Sequence, residues 1–227
     1  MSGRAVFIAG AGTEIGKTYV TAALTRRLRA DGQGVRTLKP VASGVPPVED
    51  PAFRTSDTAI LLDAQGLEVT PDTVAACSPW RFAAPLAPDL AAAREGRTLA
   101  LADLVAWCRA EIAATPPGTT LLIEGVGGLM SPVTDEATGL DWLEALSVPA
   151  LLVSGSYLGA ISHALTAAET LRFHGVPLHG LVVCESPDAP TALETVAAAI
   201  RRHVAVPVNG IARGGTCPDG LARLVRA

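Results

Sequence analysis

Short runs of apolar residues alternate along the chain with longer stretches in which apolar residues recur every three or four positions. The short runs predict strands buried on both faces of a parallel sheet, because such strands are apolar throughout. The longer stretches predict helices with one apolar face. The predicted strands cover residues 5–9, 35–38, 120–124, 150–154, 180–184 and 207–212, and the predicted helices cover residues 16–31, 56–64, 99–114, 159–174 and 190–203.

This alternation, with short connections, defines the expected fold class. It is typical of one doubly wound α/β domain, in which a mostly parallel sheet carries helices on both faces. We expect residues 1–227 to form that single domain, with loops at the proline-rich segments 45–47, 85–88 and 115–118. Ligands of such sheets bind at the carboxyl ends of the strands, so we expect the functional residues at those ends.

The composition excludes several classes of protein. With 49% hydrophobic and 18% charged residues, the chain of 227 residues is globular rather than disordered. Its net charge of −4 provides no basic surface for nucleic acid. The uncharged stretch 145–168 is long enough to span a bilayer, but Pro149 and Gly155 interrupt it and it divides into a strand and a helix. We therefore expect neither a nucleic-acid partner nor a membrane segment.

The four cysteines show no CxxC spacing, and the histidines show no metal-ligand spacing. Widely separated cysteines in a chain of this size are typical of reduced thiols in a structural role. The sequence therefore predicts a cytoplasmic protein.

A glycine-rich segment, Gly10-Ala-Gly-Thr-Glu-Ile-Gly-Lys-Thr18, follows the first predicted strand and opens the first predicted helix. It ends like the phosphate-binding pattern GxxxxGK[ST], although its first glycine lies one residue farther from the lysine. Backbone N–H groups of such a loop, together with the helix N-terminus, bind phosphate oxygens. Lys17 would contact the β- and γ-phosphates, and the Thr18 hydroxyl would ligate Mg²⁺. The sequence thus predicts a P-loop NTPase-like fold.

Two carboxylates are candidate partners of that magnesium ion. Glu124 ends a buried strand and is followed by Gly125-Val126-Gly127, where a nucleotide-bound Mg²⁺ would need an oxygen ligand. Asp57 lies early in the second predicted helix. An isolated Asp in that position is more often a helix-start residue, so Asp57 is a weaker candidate for a metal ligand than Glu124.

The chain contains only two lysines among its 18 basic residues, Lys17 and Lys39. Lys39 follows the second predicted strand in the segment Lys39-Pro-Val-Ala-Ser-Gly44. Pro40 restricts the chain after it, which would direct the lysine toward the phosphate loop. From spacing alone, a solvated surface lysine is an equally good interpretation.

Four segments together resemble the dethiobiotin synthetase family: GTEIGKT at 12–18, KPVASG at 39–44, EGVGG at 124–128 and SYLGAISHAL at 156–165. The resemblance spans residues 10 to about 180. It implies an ATP-dependent ligase that converts 7,8-diaminopelargonate, carbon dioxide and ATP into dethiobiotin, ADP and phosphate. It also implies a carbamate, a carbamic-phosphoric anhydride and closure of a ureido ring. The cofactors implied are ATP, or another nucleoside triphosphate, and Mg²⁺.

The resemblance also implies roles for individual residues. The implied catalytic residues are Lys39, Lys17 and Ser43. The implied nucleotide contacts are Thr13, Glu14, Ile15, Gly16, Lys17, Thr18, Tyr19, Asp57, Glu124, Gly125, Val126, Gly127, Cys184 and Glu185. The implied substrate contacts are Thr13, Lys39, Ser43, Gly159, Ala160, Ile161 and Ser162, and the implied metal ligands are Thr18, Asp57 and Glu124. The helix start at 159–162 would bind the substrate carboxylate across the interface of a homodimer.

Three positions depart from the family pattern, and two of them concern the nucleotide base. Gly12 stands where many members carry Asp, Cys184-Glu185 stands where Asn-Asp reads adenine, and Ala212 replaces a proline near the base. Cysteine is a poor hydrogen-bond partner for an adenine edge. We therefore expect weak selectivity for ATP, with another base such as cytosine as a candidate.

Other P-loop proteins remain alternatives. A partition- or positioning-type ATPase acting as a dimerising switch would need a further lysine in the loop, where this chain has Gly12. An amide-forming enzyme of cobalamin synthesis would need an additional glutaminase domain. A catalytically silent nucleotide-binding relative is the third alternative.

Overall fold

A computed structural model describes residues 3–226, and its frame is a parallel sheet of six strands. The strands in chain order are β1 (Arg4–Gly10), β2 (Gly34–Leu38), β3 (Val41–Ser43), β4 (Trp80–Phe82), β5 (Thr119–Glu124), β6 (Ala150–Ser154), β7 (Leu178–Cys184) and β8 (Val208–Ile211). The central sheet has the order β2-β5-β1-β6-β7-β8, and all its pairs are parallel. Strands β3 and β4 form a separate parallel pair.

Helices connect the strands. They are α1 (Lys17–Ala30), α2 (Asp57–Gln65), α3 (Pro71–Cys77), α4 (Pro88–Arg94), α5 (Leu101–Ala114), α6 (Gly139–Leu146), α7 (Ala160–Phe173), α8 (Leu193–Arg201) and α9 (Asp219–Val225), with a 3-10 helix at Pro51–Thr55. Gly32, just after α1, has a φ of +73°, a conformation that glycine adopts without steric penalty. Among the described residues, none of the helices is both long and apolar enough to cross a membrane.

Strand β1 shows how the sheet is covered on both faces. Phe7 packs into one core with residues of α5, α6, α7 and α8, and its ring meets Trp142 edge-on at 4.9 Å. The next residue, Ile8, packs into a second core with residues of α1 and α9. Successive strand residues point to opposite faces, so the uninterrupted apolar run of β1 reflects burial on both. This confirms the predicted doubly wound α/β fold.

All six predicted strands belong to the central sheet, with ends that differ by at most two residues. The prediction missed the short elements β3, β4, α3, α4, α6, α9 and the 3-10 helix. It also began the last long helix too early, since α8 starts at Leu193 rather than at 190. The four cysteines are buried free thiols, as expected, while the cytoplasmic location stays a prediction.

The sheet order brings three strand ends together. Strand β5 lies between β1 and β2, with Glu124 beside Ile8 and Ile123 beside Leu38. The glycine-rich loop after β1, the segment after β2 and the end of β5 therefore meet at one edge.

Candidate active site

The loop between β1 and α1 is shaped to receive an anion. Gly16 precedes α1 with a φ of +96°, and within residues 3–226 no side chain caps the helix, so its first N–H groups can bind an anion. Glu14 also has a positive φ, of 57°, which is unfavourable for a residue with a side chain. The Lys17 ammonium donates a 3.0 Å hydrogen bond to the Gly12 carbonyl, which places it over the loop.

Lys39 forms a charged cluster with two carboxylates beside this loop. Its Nζ lies 2.6 Å from Oε1 of Glu124 and 3.0 Å from Oδ2 of Asp57, and it donates a 3.1 Å hydrogen bond to the Gly125 carbonyl. The Thr18 hydroxyl donates to the same Glu124 oxygen at 2.7 Å. Lys39 and Glu124 are buried, whereas the Asp57 side chain is 46% exposed. The structure therefore brings all three predicted metal ligands together around one lysine.

The two lysines differ in their ionisation. Burial and the nearby charge of Lys39 lower the pKa of Lys17 to about 8, against the opposing effect of Glu124 and Asp57. Burial alone would also lower the pKa of Lys39, but its contacts with Glu124 and Asp57 raise it above its ordinary value. The pKa of Asp57 is lowered, because the Lys39 charge outweighs the effect of burial. The Lys39–Asp57 pair is therefore ionised at neutral pH.

A cavity of about 690 Å³, here called the main cavity, opens in front of this cluster. Its wall includes most of the predicted phosphate and substrate contacts: Thr13, Glu14, Ile15, Gly16, Lys17, Thr18, Lys39, Ser43, Asp57, Val126 and Gly127. The Ser43 hydroxyl is buried in this wall and has no hydrogen-bond partner among the described residues. Such a group requires a partner, so a polar ligand group is expected there.

Apart from Glu124 and Gly125, which contact Lys39 beside the main cavity, the remaining predicted residues lie elsewhere. Tyr19, Cys184 and Glu185 line a cavity of about 250 Å³, here called the side cavity, together with residues 14–16 of the loop. Gly159, Ile161 and Ser162 line a cavity of about 630 Å³ at the start of α7, and Ala160 is buried next to them. Within one chain, residues 159–162 are thus not part of the main cavity.

Two parts of the main cavity were not predicted from the sequence. Ser131 belongs to its wall and accepts a 2.8 Å hydrogen bond from the Gly128 N–H. Residues 85–88, predicted only as a loop, form another side of the wall. The proline-rich pattern identified the loop but contained no chemical sign that it faces a ligand.

The oxygens around Lys39 fit a magnesium ion. Thr18, Asp57 and Glu124 supply one hydroxyl and two carboxylates, the hard oxygen ligands that Mg²⁺ prefers. The second oxygen of Glu124, Oε2, is buried and has no hydrogen-bond partner among residues 3–226. A fully buried carboxylate oxygen without a donor is unfavourable, and a cation would satisfy it.

Comparison with known proteins identifies the family. A family profile described as "AAA domain" matches residues 4–212. The chain is 73% identical over 217 residues to the ATP-dependent dethiobiotin synthetase BioD of Methylobacterium nodulans, covering 95% of this chain and 96% of that protein. The chain belongs to the dethiobiotin synthetase family. Dethiobiotin synthetases of Acidiphilium cryptum and Caulobacter vibrioides are 45% and 48% identical, and each match covers at least 85% of both chains.

Solved structures of low sequence identity are similar to this chain in fold alone. Chloroplast FtsY of Physcomitrella patens matches with a TM-score of 0.53 and 17% identity, over 99% of this chain and 64% of that one. A ParA family ATPase of Chlorobium tepidum matches with a TM-score of 0.52 and 12% identity, over 93% and 84%. The predicted P-loop NTPase-like fold and membership of the dethiobiotin synthetase family, with its ATP-dependent ligase chemistry, are thus confirmed. The alternative of a partition-type ATPase is not favoured.

Proposed function

We propose that this dethiobiotin synthetase carries out carboxylation and ring closure in the main cavity, driven by a nucleoside triphosphate. The observation that carries the proposal is the cluster of Lys39, Glu124 and Asp57 beside the Lys17 loop. It places two cations and a bare hydroxyl, that of Ser43, around one space. The positive charge of the two lysines suits a reaction in which a carbamate anion attacks a negatively charged triphosphate.

The triphosphate binds on the loop between β1 and α1. The free N–H groups at the start of α1 face its oxygens, and the helix dipole favours negative charge there. Lys17 exchanges its hydrogen bond with the Gly12 carbonyl for phosphate oxygens. The phosphate charge also restores full protonation of Lys17, whose pKa burial has lowered to about 8.

Thr18, Asp57 and Glu124 hold Mg²⁺ in this proposal. The ion, when bound, neutralises charge on the phosphates. The support is the chemistry of the three side chains and the unpaired Oε2 of Glu124. Lys39 contacts both carboxylates, so its ammonium lies beside the proposed metal site. In this proposal the metal binds the phosphates, and Lys39 is therefore close to the transferred phosphoryl group.

The chemistry requires charge stabilisation rather than a protein nucleophile. One amine of 7,8-diaminopelargonate adds to carbon dioxide, loses a proton and becomes a carbamate. A carbamate oxygen attacks the γ-phosphorus, and the bond to the ADP oxygen breaks. The second amine then attacks the carbonyl carbon of the mixed anhydride and loses a proton, phosphate leaves, and the ureido ring closes. Lys39 and Lys17 stabilise the negative charge of the first two steps, and Ser43 hydrogen-bonds the substrate.

The proposal includes an oligomeric state, because residues 159–162 would have to reach the main cavity of a second copy of the chain. Residues 159–162 lie at the N-terminus of α7, where N–H groups favour an anion, but within one chain they lie outside the main cavity. A homodimer that brings this helix start to the partner's main cavity would let it bind the substrate carboxylate. We propose such a homodimer, with one domain spanning residues 1–227, located in the cytoplasm and without nucleic-acid or membrane partners.

Phosphate release tests the function. The protein is incubated with Mg²⁺ and nucleoside triphosphate, with or without 7,8-diaminopelargonate and bicarbonate, and phosphate is measured over time. We expect release only when both substrates are present, together with a product of the mass of dethiobiotin. Hydrolysis that does not depend on diaminopelargonate would overturn the proposal in favour of a switch ATPase.

A further inference from the structure

Asp57 reaches the charged cluster from outside the central sheet. Glu124 is fully buried at the end of β5, and the register of β2 and β5 places it beside Lys39. Asp57 is instead the first residue of α2, and its side chain is 46% exposed. The 3.0 Å distance from its Oδ2 to Nζ of Lys39 therefore depends on where the first turn of α2 is held.

Helix α2 has a directional contact with a neighbouring segment near each of its ends. At the far end, the Gln65 side chain accepts from the Thr37 N–H at 2.8 Å and donates to the Thr37 carbonyl at 3.1 Å. In the first turn, the Thr58 hydroxyl lies 2.8 Å from the Ser78 hydroxyl, and both residues are fully buried. Thr58 follows Asp57 directly, so the second contact is the one that bears on the cluster.

The segment that contains Ser78 is also bonded to the backbone around Lys39. The Lys39 N–H donates to the Cys77 carbonyl at 3.0 Å, and the Trp80 N–H donates to the Pro40 carbonyl at 3.1 Å. These two hydrogen bonds lie on either side of Ser78 in the chain. Residues 77–80 thus connect the backbone of Lys39 to the helix turn that carries its partner Asp57.

The Thr58–Ser78 contact is polar in apolar surroundings. Ala59 of α2 packs in one core cluster with Val74 and Cys77 of α3. Apolar contacts are non-directional and allow small displacements of one helix against the other. A hydrogen bond weakens steeply when its distance or angle changes, so the two hydroxyls specify one position for the first turn of α2.

We propose that Thr58 and Ser78 are positioning residues for the metal site, because their contact holds Asp57 where its carboxylate reaches both Lys39 and Mg²⁺. The inference rests on the proposed function in taking Asp57 as a metal ligand. Magnesium requires nearly ideal octahedral geometry, so a small displacement of one ligand weakens its binding. Loss of a group that orients a metal ligand typically weakens metal binding by about 10–100-fold.

The experiment measures how strongly Mg²⁺ promotes nucleotide binding. Titration calorimetry gives the dissociation constant of a non-hydrolysable ATP analogue in EDTA and in Mg²⁺, and the quotient of the first by the second is the magnesium ratio. Thr58→Val removes the hydroxyl at nearly constant volume, whereas Thr58→Ser retains it. The double variant Thr58→Val/Ser78→Ala removes both hydroxyls.

A second buried pair of hydroxyls provides the matched control. Thr25 of α1 and Thr37 of β2 lie 2.7 Å apart and are also buried. Thr25 lies about two helical turns after Thr18, outside the main-cavity wall. Thr25→Val therefore removes the same kind of contact without touching the turn that carries Asp57.

We expect the magnesium ratio to exceed one and to be equal in the wild type, Thr58→Ser and Thr25→Val. Thr58→Val and the double variant should lower it by about tenfold, with the dissociation constant in EDTA unchanged. Urea unfolding separates this effect from stability. Thr58→Val and Thr25→Val should both lower the unfolding midpoint, since each leaves a buried hydroxyl without its partner. The double variant should recover part of that loss, because it leaves neither hydroxyl of the pair behind.

A purely structural role predicts the opposite order, in which the magnesium ratio follows stability. The double variant would then regain the ratio, and Thr25→Val would lose it. Either result, or a wild-type ratio in Thr58→Val, would overturn the inference while leaving the proposed metal site intact. If Mg²⁺ does not strengthen nucleotide binding to the wild type, the proposed metal site fails and the inference fails with it.

Discussion

The Nζ of Lys39 lies 2.6 Å from Oε1 of Glu124, although 85 positions separate the two residues in the chain. Strands β2 and β5 are neighbours with Leu38 beside Ile123, so the next residue of each strand emerges at the same height of the sheet. Asp57 contacts the same ammonium at 3.0 Å. Lys39 is thus paired with both carboxylates that we propose as metal ligands.

Replacement of Lys39 tests its catalytic role. Lys39→Gln removes a positive charge beside the transferred phosphoryl group, so we expect turnover to fall by ~10²-fold or more, the scale of losing one electrostatic stabiliser. Nucleotide affinity should stay nearly unchanged, because Lys17 and the loop N–H groups remain. Steady-state phosphate release and titration calorimetry measure the two quantities. Arg36→Gln, on the strand β2 that precedes Lys39 and paired with Glu111, is the control and should behave as wild type. Normal turnover of Lys39→Gln would contradict the assignment.

Lys17 should behave differently. Lys17→Gln removes a cation that contacts the phosphates in both the ground state and the transition state, so we expect both weaker binding and slower turnover. Loss of one charge-assisted hydrogen bond corresponds to an increase of about tenfold or more in the nucleotide dissociation constant. Arg26→Gln, an exposed charge on the same helix that pairs with Asp63, serves as the control. An unchanged dissociation constant for Lys17→Gln would rule out the phosphate contact.

The strands of the central sheet were predictable because burial on both faces leaves contiguous apolar runs. The run Leu121-Leu122-Ile123, for example, is fully buried in β5. Strand β3 was not predictable in this way, because its three residues lie inside the segment that follows Lys39. Helix α6 spans only eight residues, too few for a clear period, although Thr138 and Asp141 form the capping box that marks its start.

The composition of the site was predictable, but not its pairing. The motifs placed Lys39 near the phosphates and Glu124 near the metal, as two separate assignments. Lys39 contacts Glu124 because β2 lies next to β5 in the sheet. This strand order cannot be read from local periodicity. Likewise, nothing in the sequence indicated that Glu185 is held by the Arg213 N–H.

The buried pair of Lys39 and Glu124 should also be visible in stability. Glu124 is fully buried, so Lys39→Met leaves a carboxylate without its principal countercharge, and we expect a loss of about 3–5 kcal/mol in the free energy of unfolding. Adding Glu124→Gln should recover part of that loss, because the remaining buried group is then neutral. Urea unfolding of both single variants and the double variant gives the coupling free energy. Additive losses in the double variant would show that the pair contributes no coupling.

Gly16 is required by two separate features. Its φ of +96° disfavours any side chain, and a Cβ there would lie 2.7 Å from Sγ of Cys184. Gly32 has a similar φ of +73° but open space around it, so Gly32→Ala should lose only about 1–2 kcal/mol in the free energy of unfolding. We expect Gly16→Ala to lose at least about 1 kcal/mol more, from overpacking. Adding Cys184→Ala should recover part of this difference, and equal losses for the two glycines would exclude the clash.

His179 on β7 links the start of the sheet to the last helix. Its Nδ1 lies 2.9 Å from the Arg4 guanidinium of β1 and 3.2 Å from the Leu224 carbonyl of α9. Arg4 also donates to the carbonyls of Leu224 and Arg226. Partial burial and the Arg4 charge lower the pKa of His179 below its ordinary value of 6.5, so the folded state favours the neutral ring.

The consequence is a specific pH dependence of stability. The unfolded chain binds a proton to this histidine at a higher pH than the folded chain does, so the contribution of His179 is complete above pH 6.5 and is lost as the pH falls from there through the folded-state pKa. We expect His179→Gln to flatten the decrease in the free energy of unfolding between about pH 7 and 5, measured by urea unfolding at each pH. His203→Gln, at an exposed histidine after α8, should leave the decrease as in wild type. An equally steep decrease in His179→Gln would show that other groups, not the contact with Arg4, set the acid sensitivity of the fold.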